Sequence, residues 1–365
     1  MAALVYCCGD TGPLVQGDGS LAEHVAPFLS KADIRFGQCE RVYSDRGSLD
    51  PSSTAKHARC SPELAQVFWD CAFDVVSLAS NHTMDFGADA LKDTIALFEA
   101  KGVKTIGAGM NIQEARTPAC FEVNGVRIAF LAYSTVLREG FEATEDSAGA
   151  APLRARAWYE EFDFQAGVPP LIRSEVLSED LDAMCEDVRS AKQIADKVVV
   201  SMHWGVHYVP KLIAEYQRPA AQGAFDAGAD AIIGHHAHAP KAIEMFGDRP
   251  CFYSLSNFIM TGTPKTGEKA RLFQERYGVQ LDPDRPWLPY GEDAKRSLIA
   301  ALEFSPDGLT PSFYPVELGI DMKPRLLKPG SQFDEAVSFI DQISENRPGH
   351  FTAKGQQVLV LSDGS

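Results

Sequence analysis

Three short stretches, far apart in the chain, carry side chains that bind metal ions and move protons. Asn81-His82 lies in SLASNHTMDFG, His203 in VVVSMHWGVHY, and His236-Ala237-His238 in GADAIIGHHAHAP. Six of the nine histidines fall in these clusters. Imidazole suits Zn, Fe and Mn, and a His-x-His pair can aim two rings at one ion or at two neighbouring ions. A lone histidine cluster can equally be a polar turn, so the weight rests on the agreement of all three. Each follows an apolar, β-branched run (VVSLA, VVVSM, AIIG) that reads as a buried strand. Each therefore sits at a strand's carboxyl end, where open α/β sheets collect ligands and metals.

Carboxylates come from the N-terminal part. Asp10 ends the first strand in CCGDTG, and Glu40 ends the second in DIRFGQCERV. Carboxylates mixed with imidazoles suit a binuclear site that makes hydroxide available at neutral pH. Such a site needs no serine or cysteine nucleophile, and the sequence has no GxSxG. His82 can donate a proton to a leaving group, and Asp85 can orient it as a supporting carboxylate. His207 lies two positions past His203 and faces the same side if the strand continues.

The elements that must position these residues alternate between strand and helix, the signature of α/β organisation. ALVYCC, DIRFG, FDVVSLA, VKTIGAG and RIAFLAY read as strands, as do KVVVSM and AIIG. SPELAQVFWDCAF begins a helix with Ser61 at the N-cap and Pro62 at the first helical position. DALKDTIALFEAKG keeps Leu91, Ile95 and Phe98 on one face and stops at Gly102. Leu181, Met184, Val188, Ala191 and Ile194 mark another amphipathic helix, and QRPAAQGAFDAGAD a third. After residue 297 the pattern predicts a β-hairpin, then a final helix in EAVSFIDQISENR. Residues 137–177 and 261–296 are long, rich in Gly, Pro and charge, and weakly periodic, as lids or binding loops are. Nothing reads as an interdomain linker, so residues 1–365 are expected to form one domain.

The net charge of −16 with no basic stripe argues against a nucleic-acid or anionic-membrane partner. No run of about eighteen apolar residues occurs, so no membrane span is expected. MAALVYCCGD lacks the charged n-region of a signal peptide, which makes a cytoplasmic location the expectation. The eight cysteines form no CxxC pair and read as reduced core residues. Oligomeric state is not legible.

These motifs, in this order, resemble the CapA (poly-γ-glutamate biosynthesis) family within the calcineurin-like metallophosphoesterase superfamily. The resemblance runs through GD at 9–10, AD-x5-CE at 32–40, DRG at 45–47, SLASNHTMDFG at 77–87 and GAGMNIQEA at 107–115. It continues through MHWG at 202–205, GADAIIGHHAHAP at 228–240 and YSLSNFI at 253–259, to a hairpin with FYPVEL. It implies a four-layer α/β/β/α sandwich of two mixed β-sheets flanked by helices, with divalent metal ions, two in number (Mn, Fe or Zn), at the strand ends. By resemblance Asp10 and His238 would bind the first ion and Glu40 would bridge. Asn81, His203 and His236 would bind the second ion. His82 would stand beside the leaving group, and Asn257 in YSLSNF would line the site.

Three departures stand out. The superfamily's first motif is usually Asp-x-His, and Gly12 occupies the histidine's place. Gln38-Cys39-Glu40 replaces the usual Asn-Leu-Glu. Val206-His207-Tyr208 follows HWG where x-Glu-Tyr is common, which makes His207 a candidate substrate contact. Arg154, Arg156, Tyr159 and Arg271, in the two long segments, are further candidate contacts for a small or short polymeric anionic substrate. The expectation is a soluble metal-dependent hydrolase acting on a phosphoester or an amide such as a γ-glutamyl bond. The alternative is a non-catalytic binding or assembly component for poly-γ-glutamate or another anionic polymer.

Overall fold

The computed structural model describes residues 2–15, 19–305 and 308–362. Among these, two mixed sheets stack face to face. The larger runs in the order His350–Lys354, Gln357–Leu361, Gly308–Leu318, Arg296–Ser305, Ala3–Gly12, Ile34–Cys39, Val75–Ser77, Lys104–Ile106. Asn257–Met260 adds parallel to the end of Ala3–Gly12, and Pro324–Leu326 pairs with Gly308–Leu318. The smaller runs in the order Ile243–Phe246, Arg249–Phe252, Ala231–His235, Lys197–His203, Val126–Ser134, Ala119–Val123.

Period-two alternation of apolar side chains makes these strands two-sided. Val75 faces the other sheet while Val76 faces the helices, and Val199 points inward while Val198 and Val200 point outward. Between the sheets, Val5, Ile34 and Phe36 pack with Ile128, Phe130, Val199 and Ile233; the Phe36 and Phe130 rings stack at 6.0 Å. The outer face of the larger sheet is covered by Phe68, Leu91 and Phe98 from helices Gln66–Asp70 and Gly87–Glu99. The outer face of the smaller sheet is covered by Met184, Val188, Ala220 and Phe225 from Ser178–Ile194 and Gln217–Ala227. The result is the expected four-layer α/β/β/α arrangement.

Ala3–Gly12, Ile34–Cys39 and Val75–Ser77 run parallel, as do Val126–Ser134, Lys197–His203 and Ala231–His235. Their carboxyl ends form one rim, the edge where the sequence puts its polar clusters. The 297–318 hairpin forms as predicted, Arg296–Ser305 pairing with Gly308–Leu318; residues 306–307 lie outside the described residues. Three details differ from expectation. Ile194 ends its helix 53% exposed rather than on the buried face. The segment after Ser61 starts as a 3-10 turn, Pro62–Ala65, before becoming α-helical, and Ser61 makes no side-chain cap. The helix Ser331–Ile343 is not the last element, because the hairpin His350–Lys354/Gln357–Leu361 follows and extends the larger sheet.

Both long segments contain regular structure. Residues 137–177 hold the antiparallel pair Ala155–Glu160/Leu171–Val176, and residues 261–296 hold the helix Gly267–Tyr277. All eight cysteines are unpaired, and no helix among the described residues is long and apolar enough to cross a membrane.

Candidate metal centre

Asp10 reaches the rim through a crowded backbone. A Cβ on Gly9 would lie 2.0 Å from the Ser256 carbonyl oxygen, so only glycine lets the strand pass Ser256. The Asp10 amide donates to that same oxygen at 2.9 Å. Glu40 follows the next strand directly, its amide donating to Thr11 O at 3.0 Å. Ser80 accepts from the His82 amide and donates to Glu40 O at 3.1 Å, tying the Asn81-His82 turn to Glu40. His203 is the last residue of its strand, between Ser134 and His235 on the neighbouring strands. His236 and His238 both adopt positive φ, +85° and +52°. Such backbone is uncommon for residues other than glycine and clusters at functional sites.

Three ligand atoms converge. His203 Nε2 lies 2.8 Å from Asn81 Oδ1, and His236 Nδ1 lies 3.2 Å from each of them. Ligands about 2.1 Å from a shared ion, at octahedral or tetrahedral angles, stand about 3.0–3.4 Å apart. The triangle has the size of one face of a coordination shell.

Beside it lie two buried carboxylates; Asp10 Oδ2 accepts from the His236 amide at 3.2 Å, and their other oxygens are unmet. Asp10 Oδ1 and both Glu40 oxygens are buried without a hydrogen-bond partner, as is His203 Nδ1. Such groups are costly unless a cation meets them. One ligand atom each from Asp10, Glu40 and His203 lie within 4.8 Å of one another. Burial and the Asp10 charge push Glu40 well above the carboxylate range. Burial, followed by neighbouring imidazoles, holds His203 and His236 well below the usual histidine value, which leaves them neutral and able to ligate. The donor set fits a divalent cation.

His238 sits on the Asp10 side. Its Nδ1 is 3.5 Å from Asp10 Oδ2 and 2.8 Å from Asn257 Oδ1, and its Nε2 is 4.0 Å from Glu40 Oε1. Asn257 also donates to His238 O and Ala294 O, so it fixes the His238 ring and its loop. His82 Nδ1 is 2.5 Å from Asp85 Oδ2, with Nε2 turned toward Glu40 at 4.0 Å. Burial alone would raise Asp85, but hydrogen bonds from His82 and Ser53 and the Arg138 charge outweigh it and lower its pKa.

His207 reaches the site by a different route from the one expected. The strand stops at His203 and Gly205 turns the chain at φ +87°. The His207 ring nonetheless packs 3.9 Å from His236 and 5.7 Å from His238. Burial, followed by the charges of His82, Lys241 and Lys265, brings its pKa down to about 3. An unfolded chain takes up that proton near pH 6.5, so stability is complete above that value and is lost as pH falls toward 3. Glu40, raised by burial, pulls the other way, so the contribution is read against His207→Gln. In metal-free protein the stability advantage of wild type over this variant should shrink by about 2 kcal/mol between pH 7 and pH 5. Denaturant titrations giving a pH-independent difference would refute it.

Other candidates make their contacts elsewhere. Arg154 forks onto Asp180 at 2.8 Å, and Tyr159 is 77% exposed on its hairpin. Arg156 pairs with Glu175, and Arg271 with Glu268 and Glu275. From the same long segments, Arg138 instead reaches Asp85 at 2.7 Å, and the Tyr290 ring stacks 4.2 Å over His238. Sequence reading passed over His57, 5.4 Å from His82 ring to ring, and gave no ligand role to His235, whose Nδ1 is 3.4 Å from Asp10. His235 stood in the most conspicuous cluster; His57, Arg138 and Tyr290 had no local pattern to mark them.

Residues 15–261 match the family model described as Bacterial capsule synthesis protein PGA_cap. The chain is 31% identical over 257 residues to the PGA biosynthesis protein CapA of Bacillus subtilis (strain 168), covering 70% of this chain and 60% of that protein. It is 29% identical over 261 residues to the capsule biosynthesis protein CapA of Bacillus anthracis, covering 70% and 57%. The chain thus spans less than two thirds of the length of these relatives. Among solved structures, a calcineurin-like phosphoesterase of Bacillus subtilis aligns with a TM-score of 0.37 at 13% identity, covering 94% of this chain and 97% of that one.

Proposed function

The chain belongs to the bacterial capsule synthesis protein family, and from that premise we propose that it is a metal-dependent hydrolase of an anionic substrate. The bond is a phosphoester or an amide of the γ-glutamyl type. The observation that carries this reading is the triangle of Asn81 Oδ1, His203 Nε2 and His236 Nδ1 beside the buried Glu40 carboxylate and the Asp10 Oδ1, three oxygens without a hydrogen-bond partner. A divalent ion held by these residues, with Glu40 beside it, would lower the pKa of water and polarise the scissile group.

The remaining chemistry is the chain's own. In its doubly protonated form His82 would give the Nε2 proton to the leaving group. Its Nδ1–H donates to Asp85, which fixes the tautomer and keeps Nε2 turned into the site. Asp85 is held in turn by Ser53 and by Arg138. Asp10, Glu40 and His203 are fully buried, whereas Asn81, His82, His57 and His207 are half-buried. Substrate therefore enters past these last four. Tyr290 and Tyr208 cover the opposite side over His238 and keep water out.

His207 belongs to the wall of that entrance. His207→Glu would add a carboxylate against His236 and repel an anionic substrate, so KM should rise about tenfold with the protein still folded. A KM equal to wild type would remove His207 from substrate choice.

The reading is tested by purifying the protein without chelator, measuring its metal content, and screening phosphoesters and γ-glutamyl amides with Mn, Fe and Zn. Metal-dependent turnover of one class is expected. Tight retention of poly-γ-glutamate without turnover under any metal would overturn it in favour of an assembly component.

A further inference from the structure

His57 and Arg138 come to the His82–Asp85 pair from two separate loops. The 3-10 turn Lys56–Ala58 packs through Ala55 and Ala58 on Phe86 and Ala90, at the start of helix Gly87–Glu99. That packing sets the His57 ring 5.4 Å from the His82 ring in an edge-on contact. The His57 ring is half-buried and makes no hydrogen bond among the described residues. Burial, followed by the charges of Arg41 and His82, brings its pKa down to about 4, so at neutral pH it offers one N–H and no charge.

Arg138 arrives from the smaller sheet. Strand Val126–Ser134 ends beside His203, where the Thr135 amide donates to His203 O at 3.0 Å. Three residues later the Arg138 guanidinium donates from Nη1 to Asp85 Oδ1 at 2.7 Å. Residues 135–138 therefore cross the rim from His203 to the Asp85–His82 pair, and all four are half-buried. The guanidinium lies 5.5 Å over the buried Phe141 ring, and the Phe141 amide donates to Arg138 O at 3.0 Å, which fixes the turn that carries it. Its Nε and Nη2 have no hydrogen-bond partner among the described residues, and the side chain is 37% exposed. The nearby Asp50, whose amide donates to Asp85 O, turns its carboxylate to the Ser52 amide at 2.8 Å and the Ser52 hydroxyl at 2.6 Å.

We propose that His57 and Arg138 form a subsite for the leaving group, and that this leaving group carries a carboxylate or phosphate close to the broken bond. This rests on the metal-dependent reading above, with His82 as the acid. Charge counting supports it. When His82 is doubly protonated, the row His82–Asp85–Arg138 holds two positive charges and one negative. Asp85 takes one edge of the guanidinium and leaves the other open to solvent. An anionic leaving group beside His82 would meet the remaining positive charge through a fork of N–H donors, the geometry that suits a carboxylate or phosphate. His57 adds a neutral donor to the same group. A substrate that leaves as a neutral alcohol or amine would gain nothing from the Arg138 charge.

Matched substrates test this. One pair is para-carboxyphenyl phosphate and para-carbamoylphenyl phosphate; the other is the γ-glutamyl amides of para-aminobenzoate and para-aminobenzamide. Within each pair the leaving groups share a shape and differ by one negative charge. Wild type loaded with Mn²⁺ should favour the charged member of the pair it hydrolyses by about tenfold or more in kcat/KM. Arg138→Gln should abolish that preference, although both members slow if Asp85 is less well held. Arg138→Lys, which keeps the charge, should retain part of it. His57→Gln should hold the preference better than His57→Phe, because it keeps an N–H. If Arg138→Gln does not fold, the wild-type preference and its loss in His57→Phe decide the matter. Equal slowing of both members in Arg138→Gln would show that Arg138 serves only to hold Asp85. That result, or a wild type without preference, would overturn the proposal and leave the metal-dependent reading intact. No metal-dependent turnover of either pair would bring down the hydrolase reading itself, and this proposal with it.

Discussion

His203→Ala and His236→Ala should each lower metal-dependent hydrolysis by about three orders of magnitude or more, with the fold retained. Either change leaves two corners of the triangle formed with Asn81 Oδ1, and a pair of ligands does not hold an ion that must also activate water. The fold should survive because these rings contribute little to it as packing. His203 Nδ1 is buried without a partner, and burial already disfavours the charged form of both histidines. Removing an incompletely satisfied polar group costs less than removing a well-packed apolar one. Rates at saturating metal, with thermal melts of the metal-free variants, check both halves. Near wild-type turnover in either variant would show that the ion is not the catalyst.

Asp85→Asn should lower kcat by about a hundredfold while KM stays close to wild type. The asparagine keeps the shape of the aspartate but can turn an N–H toward His82 Nδ1, now 2.5 Å from a carboxylate oxygen. The proton would then move to the other ring nitrogen and the charged imidazole would lose its counterion. The acid form of His82 becomes harder to reach, so the alkaline limb of the pH–kcat profile should move to lower pH. A purely structural role for Asp85, through Ser53 and Arg138, would lower stability and leave the profile in place. The profile is therefore the readout that separates a positioning carboxylate from a scaffold one.

The strands that build the rim were legible because β-branched runs such as Val198–Val200 bury on both faces, a pattern that survives without tertiary information. The polar residues after each run could then be assigned to one edge. The terminal hairpin was missed because its first strand, HFTAK, is largely exposed and carries no strong alternation. The pair Ala155–Glu160/Leu171–Val176 escaped for the same reason, with nearly every residue of its first strand facing solvent. Outside the site, Arg154, a candidate substrate contact in sequence, pairs instead with Asp180, 26 positions away, as no local pattern reveals. Arg41 carried no mark in the sequence, because burial of a lone arginine depends on two carbonyls from distant parts of the chain, Gly12 and Thr261. His207 faced the pocket as expected, but through a turn at Gly205 rather than a continued strand.

The central claim is that an ion binds where Asn81, His203 and His236 converge. The most direct measurement is anomalous diffraction at the manganese edge from crystals grown with limiting Mn²⁺. One strong peak within coordination distance of Asn81 Oδ1, His203 Nε2 and His236 Nδ1 is the predicted result. No peak there, or a peak only beside Asp10 and His238, would contradict it.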